Sequence, residues 1–361
     1  MTERRAREPL DALRGIAALG LALGSWLMLT IWRDVQFIGN LHLLADFVIV
    51  IAGFIVARAH SEALTDHRRI GRFAISRIVR FAPLHVAGIA AFLLIDSIAR
   101  LISGAGLLDD LAVFAANLLF MQIFMHPDYG WNPLAWIVAA ELFMSVMFAF
   151  ACTAGAMARR LSRLVLWGLV CAIILVRMFD LVSLSPVADL LLRMTAAFFA
   201  GALVFGAISS ERISTGMKRL KKNYGGLVEA WVLLSTLGFV WMSTGNLGAV
   251  APWVFAICLI VFLRRKAAFA YFLSGPLLQR FGDLSYPIIM VHFVLVYPAA
   301  FLTLNYGFDL LAVPLTLLTP LYLLLVLALS ELAVQFIEYP TRRAMWAWLD
   351  RAFPDQSRAS A

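Results

Sequence analysis

Apolar runs of roughly 17 to 25 residues recur along the chain, separated by short polar loops, and that length matches the hydrocarbon thickness of a bilayer. The runs fall at about Asp11 to Trp32, Leu44 to Ala59, Pro83 to Ile102, Leu134 to Ala156, Leu164 to Leu184 and Val187 to Ile208. Four more follow at Leu227 to Thr244, Leu247 to Leu263, Pro287 to Leu304 and Leu310 to Phe336. The pattern predicts an all-α polytopic membrane protein, a single bundle of about ten transmembrane helices. Ahead of the third run, Phe73 to Phe81 alternates arginine with apolar residues at helical spacing, which predicts an interfacial amphipathic helix.

The stretch from Leu111 to Met125 is apolar but short, and Asn117 and Gln122 interrupt it. If it crossed fully, residues 126–133 would lie inside without a lysine or arginine, and Arg159, Arg160 and Arg163 would lie outside. A re-entrant or interfacial segment at 111–125 removes the conflict, so that is the expectation.

Composition agrees with this pattern. The 361 residues are 62% hydrophobic and only 14% charged, where a soluble domain carries about 25% charged residues. The net charge of +8 acquires its meaning from position. Arg4, Arg5 and Arg7, the loop from Arg68 to Arg80, Arg159 to Arg163, Arg212 to Lys222, Arg264 to Lys266, and Arg342 with Arg343 all fall on one side of the map. By the positive-inside rule both termini are cytoplasmic. No stretch interleaves basic and aromatic residues as a nucleic-acid binder does, so nucleic acid is excluded as a partner. Cys152, Cys171 and Cys258 lie in apolar runs without metal-ligand spacing and read as packing residues; no metal site is expected. The basic start and span-length first run read as a membrane span rather than a cleavable leader. The chain carries no internal repeat of the kind many transporters have. One domain over 1–361 is expected, with its core at about 10–343 and a cytoplasmic tail at 344–361.

Several ionisable groups sit inside these runs, where they are costly and mark functional sites. Asp11 and Arg14, three apart, share a face of the first helix and are placed to pair. Asp46, Glu141, Arg193 and His292 lie in later spans, and Glu338 with Arg342 closes the last. Each taken singly reads first as a structural hydrogen-bonding group. Together they put charges of both signs on several helices, and that predicts a shared polar cavity.

In order, these segments resemble the motifs of the integral-membrane acyltransferase-3 family, the type that O-acetylates bacterial surface polysaccharides. Leu10-Asp11-Ala12-Leu13-Arg14-Gly15-Ile16-Ala17-Ala18-Leu19 resembles its first-span motif closely. Asp46 to Phe54 resembles Asp-x-Phe-Phe-x-x-Ser-Gly-Phe, with Ala52 at the serine. Arg77, Arg80 and Pro83-Leu84 resemble Arg-x-x-Arg-x-x-Pro-Leu/Ala, and Trp136 with Glu141 resembles Trp-Ser-Leu-x-x-Glu. Ser285-Tyr286-Pro287 with His292 resembles Ser-Tyr-x-x-Tyr-x-x-His, and Glu338-x-Pro340-x-Arg342 the family's ending. The resemblance extends from Leu10 to Arg343. It implies transfer of an acyl group, acetyl above all, from acyl-CoA to a hydroxyl of a cell-surface carbohydrate or lipid-linked saccharide, in the bacterial inner membrane and among its lipids. It implies no bound cofactor, acetyl-CoA being the donor. Arg14, Glu141 and His292 become catalytic candidates, and Arg77 and Arg80 candidates for the CoA phosphates, because guanidinium pairs bidentately with phosphate; simple anchoring under the charge rule is the equal alternative for these two arginines.

The resemblance also has a gap. The family's first span carries Arg-x10-His, the histidine serving as base, and here the eleventh residue after Arg14 is Ser25. Eleven residues make about three helical turns, so position 25 faces the same side as Arg14. A serine hydroxyl does not take up a proton near neutral pH as imidazole does. Three readings stay open: Glu141, His42 or His292 supplies the base; Ser25 is itself an acyl carrier; or the fold persists as a catalytically impaired scaffold or partner. A transporter is a fourth, weaker reading.

Overall fold

The structure is a computed structural model that describes residues 9–104, 111–125, 131–132, 134–155, 160–209, 211–263, 268–306 and 315–353. Arg4, Arg5, Arg7, Arg159, the basic cluster 264–266, most of 126–133 and the end of the tail lie outside the described residues. Nine helical stretches among the described residues are long and apolar enough to cross a membrane.

The first is α1 (Pro9–Leu27). A short helix α2 (Gln36–Asn40) and a 3-10 turn, Leu41–Leu43, lead into α3 (Leu44–His60). Then come α4 (Ile70–Ser103), the short α5 (Leu111–Leu118), α6 (Ala135–Thr153), α7 (Arg160–Met178), α8 (Pro186–Ile208) and α9 (Glu211–Met242). The last group is α10 (Ala251–Phe262), α11 (Ala268–Leu273), α12 (Pro276–Asp283), α13 (Ser285–Val291), α14 (Phe293–Tyr306), α15 (Leu315–Ala333) and α16 (Tyr339–Ala352).

Helix α3 is the centre of the bundle. Apart from Asp46 its buried residues are apolar on every face, and such a helix is buried rather than amphipathic. Ile49, Val50 and Ile51 are wholly inaccessible, and α3 packs on α1, α6, α8 and α10. Without a hydrophobic force between helices in lipid, close approach and packing carry the association. Gly53 and Gly201 supply it between α3 and α8: a Cβ at Gly53 would overlap the Phe198 carbonyl, and one at Gly201 the Val50 carbonyl. Gly15 and Gly282 do the same for α1 and α12, each lying against the other helix's backbone.

The described helices depart from the expected map in several places, among them 212–222, read from sequence as a loop but helical within α9, which breaks at Tyr224. Phe73 to Phe81 is not a separate interfacial helix, since α4 runs unbroken from Ile70 to Ser103 through Pro83. A proline removes one backbone bond, whereas ending the helix inside an apolar medium would strand several more groups. The last span likewise does not end near Phe336: a π-turn at Val334–Glu338 leads directly into α16, so the first part of the expected tail is helical. Arg72 on α4 holds it by an ion pair to Asp350 at 2.6 Å. Helices α11 and α12 occupy a stretch read from sequence as a loop. Finally, Cys171 faces outward, while Cys152 and Cys258 are packed inside.

Segment 111–125 forms α5 and a 3-10 turn, Met121–Phe124. At eight residues α5 spans about 12 Å, too little to cross a core of about 30 Å. His85 pins this segment: its ring stacks on Phe120 with centroids 3.9 Å apart, and its Nε2 lies 2.6 Å from the Asn117 carbonyl.

Candidate functional site

Two polar centres lie at opposite ends of the bundle. At the end bearing the basic loops, Arg77 on α4 is buried, and its Nη2 reaches Glu141 Oε1 on α6 at 3.2 Å. The same guanidinium donates to Ser145 Oγ through Nη2 at 3.3 Å and Nε at 3.4 Å. Ser145 turns its own proton to the Glu141 carbonyl at 2.5 Å. The rings of Phe73 and Phe81 flank the cation at 5.7 and 5.8 Å, a cation–π arrangement. Arg80 lies 5.4 Å from the Phe81 ring centre and within electrostatic reach of Arg14, Arg77, Glu141 and Arg342.

Arg14 does not pair with Asp11. Its Nη2 instead donates to the Gly282 carbonyl at 3.2 Å, and its buried Nε has no partner among the described residues. The Gly15–Gly282 approach is the reason: it brings a carbonyl of α12 closer to the guanidinium than the acid one turn back. Ser285 Oγ donates to the same carbonyl at 2.8 Å, so the first-span motif and the Ser-Tyr-Pro motif meet at one atom. Tyr286 donates its hydroxyl proton to the Phe81 carbonyl. Glu338 accepts from Arg342 at 3.0 Å in the same region. Five stretches singled out in the sequence therefore converge on one end of the bundle.

His292 and Ser25 lie apart from this group. His292 is fully buried, with Nδ1 3.0 Å from the Ile289 carbonyl and Nε2 without a partner among the described residues. Ser25 shares a helical face with Arg14, but eleven residues also carry it about 16 Å along the axis, toward the opposite end. Its hydroxyl donates back to the Leu21 carbonyl at 3.1 Å.

At that opposite end, a cavity of about 420 Å³ opens between α1, α3, α6 and α8. Trp136, Gln122, Asn132, His42 and Arg193 contribute its polar and aromatic wall. The Arg193 guanidinium stands 5.6 Å over the Trp136 ring and donates to Asp46 Oδ1 at 2.7 Å and to the His42 carbonyl at 3.1 Å. Gln122 is buried and its side-chain amide has no partner among the described residues. A second, more polar cavity of about 370 Å³ adjoins the first and shares His42, Asp189 and Arg193 with it. Arg177 closes that side with a two-point bond to Asp189 at 2.6 and 3.2 Å. Both volumes fall in the range of small-molecule sites.

Sequence reasoning singled out Asp46, Arg193 and Trp136 without joining them, and it left out Gln122, Asn132 and the Arg177–Asp189 pair as site residues. Gln122 announced itself only as a polar break in an apolar run. The Arg177–Asp189 pair had a readable signal, an arginine and an acid flanking a polar turn between two spans.

A helical bundle with buried ions at one end and a polar cavity at the other has the build of a membrane-embedded enzyme or carrier. A family model described as an acyltransferase domain matches residues 8–334. The chain belongs to the acyltransferase-3 family, whose members are membrane acyltransferases. No curated protein and no solved structure gives a match.

Proposed function

We propose that the protein moves an acyl group, acetyl in the first instance, from acyl-CoA to a hydroxyl of a saccharide or lipid-linked saccharide, in a bacterial inner membrane. The observation that carries this reading is the cavity at the end remote from the basic loops. An indole face and an arginine–carboxylate pair are groups that bind a polyhydroxylated ring, the first by its apolar face and the second by its hydroxyls. The basic end suits the donor. Arg14 and Arg80 supply cationic character for CoA phosphates, while Arg77 is occupied by Glu141 and Ser145 and acts by holding them. Arg77 is thus revised from a phosphate ligand to a scaffold for Glu141.

From Arg14 to Leu21, which borders the cavity, α1 rises about 10 Å. A flexible thioester arm held at the basic end bridges such a distance. The acyl-carrier reading of Ser25 loses ground, because that hydroxyl is turned onto its own helix and borders neither cavity.

The test uses purified protein in nanodiscs with acetyl-CoA labelled in the acetyl group and a panel of methyl hexosides. Thiol release coupled to label on a glycoside is expected, and Arg14→Ala should abolish it. A protein that binds acetyl-CoA yet transfers label to none of the glycosides would sink this reading.

A further inference from the structure

Transfer of an acyl group to a hydroxyl needs a group that removes the hydroxyl proton. Among the described histidines, His85 is buried with Nε2 against the Asn117 carbonyl, His292 is enclosed in the core, and His60 and His67 lie at the basic end. Of the acids bordering the cavities, Asp189 is engaged by Arg177. Asp180 borders only the polar cavity. Asp46, behind them, is held by Arg193.

His42 differs from all of these. It borders both cavities, on the wall they share. Its neighbours Leu41 and Leu43 are buried, and Gly24 lets Leu41 settle directly against α1, so the turn that carries His42 is fixed from below. The Arg193 bond to its carbonyl fixes it from the side. Its Nδ1 lies 2.6 Å from the Gly39 carbonyl. A carbonyl oxygen only accepts, so in the neutral ring Nδ1 carries the proton and the lone pair is left on Nε2.

We propose that His42 Nε2 is the general base of the transfer, acting on an acceptor hydroxyl seated in these cavities. The proposal rests on the acyl-transfer reading above. Nε2 takes the proton from the acceptor O–H as that oxygen attacks the thioester carbonyl carbon of acyl-CoA. The tetrahedral adduct collapses with cleavage of the C–S bond, and the imidazolium proton passes to the departing sulfur. The products are an ester and the CoA thiol. The Arg193 guanidinium, on the same wall, is the cation placed to hold the developing oxyanion.

The experiment follows transfer from labelled acetyl-CoA to the methyl hexosides in nanodiscs, for wild type, His42→Asn and His42→Ala. His42→Asn keeps a short donor for Gly39 and lacks the base. Both variants should lose about 100-fold or more in kcat, with acetyl-CoA binding by calorimetry and thermal stability unchanged. Free imidazole should restore turnover to His42→Ala, whose missing ring leaves a space open to the cavity. Turnover within about threefold of wild type in either variant would overturn the proposal. So would a loss in His42→Ala that imidazole does not relieve, which would reduce His42 to a structural role. A wild type that transfers no label fails the functional reading instead, so the two failures are distinct.

Discussion

At the scale of single residues, the Arg77–Glu141 pair shows how charge is tolerated inside this bundle. Both side chains are shielded, with 7% and 13% of their surface accessible. A buried ion pair yields little net stability, but removing one partner leaves an uncompensated charge and costs about 3–5 kcal/mol. Glu141→Gln and Arg77→Met should therefore each lower the unfolding midpoint in detergent substantially. The double variant should lose much less than the two losses added together. A strictly additive cycle, read by thermal unfolding, would show that the pair does not couple the two helices. Asp46 and Arg193 have the same logic at the other end, with the added consequence that losing the acid frees the arginine that organises the cavity wall. Ser25 shows the reverse situation. A hydroxyl satisfied by its own helix costs nothing in an apolar medium, so the position tolerates serine without any compensating partner.

At the scale of elements, the small residues decide how near the helices come. The α3–α8 and α1–α12 contacts are backbone against backbone, and each depends on a glycine from both sides. Gly201→Ala would drive a Cβ into the Val50 carbonyl, and overpacking of this kind costs about 1–3 kcal/mol. Gly168 on α7 meets nothing within 4 Å, so Gly168→Ala should be neutral or stabilising by up to about 1 kcal/mol, the helix-propensity gain. Equal unfolding midpoints for the two variants would refute a packing role for Gly201. The same contacts have a chemical consequence. Because α1 and α12 approach so closely, the Gly282 carbonyl takes the Arg14 guanidinium away from Asp11, so the pairing that sequence spacing suggested does not form.

At the scale of the whole molecule, the arrangement is directional. A cluster of arginines occupies the end with the basic loops, and a polar, tryptophan-lined cavity the end without them. The charge rule predicts that the first end is cytoplasmic. In a cysteine-free background, Ser183→Cys on the exposed α7–α8 turn should react with an impermeant maleimide in intact cells. Asp66→Cys, exposed between α3 and α4, should react only after permeabilisation. Labelling in the opposite sense would invert the map and place the cavity inside.

The sequence by itself determined the class of protein, the approximate limits of most helices and the short segment near 111–125. Length and burial of apolar runs are local properties, enforced by a solvent that leaves no backbone group unpaired. It also marked most of the charged residues of both polar centres, Arg177 and Asp189 excepted, since an ion in a span stands out against its apolar neighbours. What it did not determine was which of those ions meet. Arg14 with Gly282, Arg193 with Asp46, and His42 with two cavities are relations between helices distant in the chain, and no periodicity encodes them. The continuity of α4 through Pro83 and of α15 into α16 was also decided in three dimensions, where the cost of ending a helix in apolar surroundings exceeds the cost of bending one. Position 25 drew attention as the place where a base is missing. Tertiary structure alone set on the cavity wall an imidazole nitrogen with no hydrogen bond among the described residues, because that depends on a turn anchored by Leu41 and Leu43 and on a carbonyl at Gly39 that fixes the proton.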